Sequence, residues 1–149
     1  MSGRNGTFKI SGNGPGASAQ AVVGKPIGGL DEYSTFTVYA EITNPAGGTL
    51  DLYIQRKLDT DVWVDWIHFA QTASNTSAKW VAGSDQVTGT APIAVGKTAD
   101  DGATGAPALA ANTVAPGHPG DMVRAVAVTG AGAVAATIVV RIDAQRPDW

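Results

Sequence analysis

The sequence predicts an all-β fold: an antiparallel β-sandwich or jelly-roll-like barrel with an extended N-terminal arm and one long loop. Three observations carry that expectation. Five segments alternate apolar and polar residues with the two-residue period of a strand. Clusters of Gly, Pro, Asn and Asp separate them. No segment longer than two turns carries the i, i+3, i+4, i+7 stripe of an amphipathic helix. The Ala-rich stretch 103–115 is broken by Gly105 and Pro107 and closed by Pro116. At 149 residues, 44% of them hydrophobic, the chain is long enough for one core and too short for two.

Residues 1–30 are rich in Gly, Ser, Ala and Asn and read as an extended arm, with short strands at Thr7–Ile10 and Ala17–Val23. From Ser34, Phe36, Val38, Ala40 and Ile42 share one face of a strand, and Thr35, Thr37, Tyr39 and Glu41 the other. Asn44–Gly48 is a turn by composition. Leu50, Leu52 and Ile54 then alternate with Asp51, Tyr53 and Gln55 in a strand that ends near Leu58. After Asp59-Thr60-Asp61, Val62, Val64 and Trp66 alternate with Trp63, Asp65 and Ile67, and the strand runs to Phe69. These two strands are expected to form a hairpin. Ala78–Val81 is a short strand, and Ile93 and Val95 suggest another inside the long loop 89–120. Asp121–Thr129 and Ala133–Asp143 flank Gly130-Ala131-Gly132 and are expected to pair as a second hairpin. In the latter, Val134, Ala136, Ile138, Val140 and Ile142 share a face. The expected organisation is therefore an arm (1–30), one β domain (31–143) and a tail (144–149).

Composition removes several function classes. The chain has no cysteine, which excludes disulfides, a thiolate nucleophile and Cys-ligated metals. A net charge of −3 with scattered basic residues argues against nucleic-acid binding by bulk charge. No apolar run approaches bilayer-spanning length, and residues 1–6 lack a signal-peptide hydrophobic region. No membrane partner and synthesis in a cytoplasm are the expectations. The two histidines, His68 in a strand and His118 in Pro116-Gly117-His118-Pro119-Gly120, have no carboxylate at ligand spacing and read as structural. Asp59, Asp61 and Asp65, and the pair Asp100-Asp101, read as solvated turns; the EF-hand spacing is missing. No G-x-S-x-G marks a nucleophile elbow. The expectation is a non-enzymatic protein with no catalytic, cofactor-binding or metal-binding residues. Low charge, at 15% of residues, with interspersed aromatics suits surfaces that partners cover.

The segment from Gly48 to Phe69, GTLDLYIQRKLDTDVWVDWIHF, resembles one recurrent in small head proteins of tailed phages, roughly "TLDVxIQxSxDGGxxWxDIxHF". Gly120–Gly130 is similar to their "G-x-x-L-R-V-x-x-x-x-x-G" strand. Together the two segments span about a fifth of the chain. The chain departs from the pattern at Asp59-Thr60-Asp61, where the pattern has a Gly-Gly turn. The resemblance implies a capsid decoration (cement) protein, made in the host bacterial cytoplasm and carried on the outer capsid surface. It further implies a homotrimer at local three-fold positions of the expanded shell, with the major capsid protein as partner and no cofactor. Arg4, Phe8 and Lys9 on the arm, and Arg146 and Trp149 on the tail, are the candidate capsid or neighbour contacts. Loop 89–120 is the candidate for the trimer axis or rim. Two alternatives stand beside this reading. One is another virion module, such as a head fibre or tail component. The other is a carbohydrate-binding β-sandwich, with Tyr39, Tyr53 and Trp63 or Trp66 as the sugar platform.

Overall fold

The computed structural model describes residues 6–13, 21–44, 49–59, 62–73, 76–83, 109–115, 117–129 and 136–147. They form nine strands and no helix, so no helix among them is long and apolar enough to cross a membrane. The strands are β1 (Gly6–Asn13), β2 (Ala21–Val23), β3 (Thr35–Asn44), β4 (Leu50–Asp59), β5 (Val62–His68), β6 (Thr76–Gly83), β7 (Thr113–Val114), β8 (Val123–Thr129) and β9 (Thr137–Gln145). A four-stranded sheet has the order β1-β9-β3-β6 and a five-stranded sheet the order β2-β8-β4-β5-β7. Every pairing is antiparallel. The all-β sandwich expected from the sequence is the architecture found.

The period-two faces form the core. Phe36, Val38, Ala40 and Ile42 on β3 are buried, as are Ala136, Ile138, Val140 and Ile142 on or beside β9. Leu50, Leu52 and Ile54 on β4 oppose them, each fully buried. Each of the Val, Leu, Ile and Phe side chains among them contributes about 1.5–3 kcal/mol when withdrawn from water. Phe36 and Trp66 meet edge to face across the core, with centroids 6.0 Å apart.

The β4–β5 hairpin forms as the sequence predicts. One expected pairing does not form. β8 and β9 are not a hairpin: β8 lies between β2 and β4, and β9 lies between β1 and β3 in the facing sheet. A Gly-rich turn sets a reversal of direction but not whether the chain stays in its sheet. Burial decides it. Val123, Ala125, Val126 and Ala127 bury both faces of β8, which needs a central position in the five-stranded sheet.

The β5 faces also differ from simple alternation. Ile54 pairs with Ile67 and Gln55 pairs with Asp65, so Trp66 is an extra residue in a β-bulge. Trp66 and Ile67 both enter the core. The segments read as an arm contribute strands at both sheet edges: β1 pairs with β9 over Gly6–Asn13, and β2 with β8 over Ala21–Val23. Ile93 and Val95 lie outside the described residues. Within the long loop, Thr113–Val114 pairs with β5 instead.

Candidate functional site

The bulge at Trp66 has a chemical consequence. In a regular strand, residues 65 and 68 face opposite sides. Here Asp65 pairs with Gln55 and His68 with Tyr53, so both lie on the outer face of the five-stranded sheet. A hydrogen-bonded chain runs across that face. Arg124 Nε donates to Gln55 Oε1 at 2.8 Å, and Gln55 Nε2 donates to Asp65 Oδ1 at 3.1 Å. The Leu109 amide donates to Asp65 Oδ2 at 3.0 Å. His68 Nδ1 is 2.7 Å from the Leu109 carbonyl oxygen, and His68 Nε2 is 2.8 Å from Asp51 Oδ1. Gln71 Nε2 donates to the other Asp51 oxygen. Gln55, Asp65 and His68 are buried. Buried polar groups left unpaired are costly, and these are paired with one another.

Electrostatics follows from that packing. Burial works to raise the Asp51 carboxyl, but hydrogen bonds from His68 and Gln71 and the charge of His68 outweigh it and hold it below its ordinary value. The Tyr53 hydroxyl is pushed up to about 12, mainly by burial and then by Asp51 and Asp65. Tyr53 stacks on His68 with ring centroids 3.9 Å apart. Burial lowers the Arg56 guanidinium. Both ring nitrogens of His68 face oxygen acceptors, so the ring makes both bonds together only with both nitrogens protonated. His118 has the opposite surroundings: Nε2 faces the Tyr33 carbonyl at 2.6 Å, and Nδ1 accepts from the Gly120 amide at 2.9 Å. Gly120 has φ +79°, a left-handed conformation that glycine adopts without strain. The two histidines therefore tie chain segments to the sandwich. Among the described residues, no three His, Asp or Glu side chains group to hold a metal ion.

The four-stranded sheet presents a different outer face. Lys9, Arg141, Tyr39 and Val81 occupy one cross-strand register row; Ser11, Val139, Glu41 and Lys79 occupy the next. A groove of about 500 Å³ opens there. The Arg141 guanidinium lies over the Tyr39 ring, 4.4 Å from its centroid.

The residues singled out from the sequence are dispersed. Arg4 and Trp149 lie outside the described residues. The register sets Phe8 opposite Ile142, a core residue, and Lys9 opposite Arg141, an exposed one. Arg146 bonds to Glu32 and lies over the Tyr33 ring. The four aromatics read as a sugar platform do not come together. Trp66 is in the core and Tyr53 is buried against His68. Trp63 lies under Arg124 and Lys57 on the five-stranded sheet, whereas Tyr39 is on the other. Sequence reading missed the chain of Arg124, Gln55, Asp65, Leu109 and His68. The available signal was Asp65 and His68 set among Trp66, Ile67 and Phe69, polar residues in a strand otherwise apolar on both faces.

No family model and no curated protein matches the chain. A solved structure described as "CBM4 structure and function" is similar, with a TM-score of 0.44 and 14% identity over 95% of this chain and 73% of that one.

Proposed function

We propose that the chain is a structural virion protein that decorates the outer surface of an expanded phage capsid at its local three-fold positions. One observation carries this reading. The polar residues shared with the head-protein pattern, Asp51, Gln55, Asp65 and His68, belong to the hydrogen-bonded chain on one sheet face. They are residues that shape the fold, so sharing them speaks for shared architecture. The partners are the major capsid protein and two further copies of this chain. Arg4, Phe8, Lys9, Arg146 and Trp149 remain the proposed contacts. Binding the expanded shell alone stabilises it by mass action, and many copies act in parallel.

Co-sedimentation with purified expanded and unexpanded heads tests this. Saturable binding to expanded heads only, at three copies per local three-fold, is the expected result. No binding to either form rejects the reading.

A second reading, a saccharide-binding β-sandwich, is favoured by the groove on the outer face of β9, β3 and β6. Isothermal titration of the whole protein with neutral oligosaccharides tests it, and absence of heat with every sugar rejects it.

A further inference from the structure

The two histidines are bonded in opposite ways. His118 stands between one acceptor, the Tyr33 carbonyl, and one donor, the Gly120 amide, so a neutral ring with its proton on Nε2 satisfies both. His68 stands between two acceptors. The Leu109 carbonyl oxygen lies 2.7 Å from Nδ1, and Asp51 Oδ1 lies 2.8 Å from Nε2. A neutral ring has one proton, so at one of these contacts it sets a nitrogen lone pair against an oxygen. The imidazolium holds both.

The surroundings decide which contact a neutral ring keeps. The Asp51 carboxyl is held below its ordinary value, so it is an anion wherever a histidine titrates. A hydrogen bond to a carboxylate is roughly twice as strong as one to a neutral carbonyl. The remaining proton therefore stays on Nε2, and the Leu109 carbonyl loses its donor. Among the described residues, the other titratable groups of this network are Tyr53 on β4, Asp65 on β5 and Arg124 on β8. Tyr53 presents its ring face to the imidazole, Asp65 accepts from Gln55 and the Leu109 amide, and Arg124 bonds to the far side of Gln55.

The loop segment beginning at Leu109 is fastened at its two ends by different means. At the far end, Thr113 and Val114 pair with β5 and the Ala115 amide donates to the Trp66 carbonyl. At the near end, the side chains of His68 and Asp65 hold Leu109. Ala110, Ala111 and Asn112 between them are exposed.

We propose that His68 is a protonation-operated latch on Leu109, closed in the imidazolium and opened at the carbonyl when the ring gives its Nδ1 proton to solvent. The latch is present at lower pH and is lost as pH rises through the ring's titration. Asp65 keeps its hold on the Leu109 amide in both states. The device stands apart from both readings of function above.

The test is 15N NMR of the full chain across about pH 5–8, the interval in which histidine changes charge. It reads the His68 ring nitrogens, the Ala110 amide nitrogen bonded to the Leu109 carbonyl carbon, and the exchange protection of the Leu109 amide. The neutral ring is expected to carry its proton on Nε2, and the Ala110 signal to move with the ring's own midpoint. Leu109 protection is expected to fall by about tenfold or more, the factor that a hydrogen bond from a charged donor contributes to an opening equilibrium. Asp51→Asn separates a latch from a merely structural histidine. Its side-chain amide donates to Nε2, which lets a neutral ring keep its proton on Nδ1 and its bond to Leu109. In that variant the Ala110 signal and the Leu109 protection no longer follow the ring. A ring with one protonation state throughout, a neutral ring protonated on Nδ1 in the wild type, or an Ala110 signal with a midpoint of its own overturns the latch. So does an Asp51→Asn protein that folds and keeps the wild-type response. The wild-type readings decide the matter if that variant does not fold.

Discussion

The imidazole of His68 donates from Nδ1 to the carbonyl oxygen of Leu109 at 2.7 Å, across 41 positions of sequence. The amide of the same Leu109 donates to Asp65. One residue of the long loop is thus gripped at both its backbone polar groups by two side chains of β5. Loop backbone over a sheet face must find partners for such groups, and here β5 supplies them.

Removing that grip is expected to be costly. Asp65→Ala strips the acceptor from the Leu109 amide and from Gln55 Nε2, both in buried surroundings. A buried donor left unpaired costs about 1–3 kcal/mol, so a loss of about 2–4 kcal/mol is expected for the two together. Urea unfolding followed by tryptophan fluorescence measures it. A loss below about 1 kcal/mol would show that the bonds add little to the fold.

Acid is expected to weaken the Asp51 contact. Its folded-state carboxyl lies below its ordinary value of 3.8. The stability it adds is therefore complete above that value and is lost as pH falls through the lower folded value. Wild type should exceed Asp51→Asn in unfolding free energy at about pH 5, with the gap closing well below about pH 4. Parallel denaturant titrations across that range read the gap directly.

The two tryptophans of β5 are expected to respond differently. Trp66 is fully buried in the core, and Trp66→Ala should cost about 3–5 kcal/mol. Trp63 is partly exposed beneath Arg124 and Lys57. Trp63→Ala gives up a cation–π contact and partial burial, about 1–2 kcal/mol. Thermal unfolding of the two variants checks the order; equal losses would contradict the placement of Trp66 in the core and Trp63 on the outer face.

The β1–β9 pairing is open to a covalent test, since the chain has no native cysteine. Ser11 and Val139 are direct cross-strand partners. Ser11→Cys with Val139→Cys should oxidise to an intramolecular disulfide and raise stability by about 2–4 kcal/mol. Mass spectrometry and melting under oxidising and reducing conditions give the answer. Free thiols after oxidation would place residues 6–13 away from β9.

Much of the architecture is legible from local pattern. Phe36 to Ile42 and Ala136 to Ile142 declare their buried faces because a half-buried strand has no other way to sort its side chains. The β4–β5 hairpin is equally plain from two alternating runs separated by three polar residues. The hydrogen-bonded chain is not legible. Asp65 and His68 are three residues apart, which by alternation separates them; the extra residue at Trp66 puts them on one side. A bulge is a property of two paired strands and leaves no mark on either alone.

The sequence by itself determined the all-β class, the buried faces of β3, β4 and β9, and the short hairpin, because these follow from side-chain period and turn chemistry within a few neighbouring residues. The tertiary structure alone decided which sheet each strand joins, that β8 and β9 part into facing sheets, that Leu109 is held by Asp65 and His68, and that Tyr39 meets Arg141. Those outcomes depend on burying both faces of a strand and on pairing polar groups far apart in the chain. Only the assembled sandwich brings such groups within hydrogen-bonding reach.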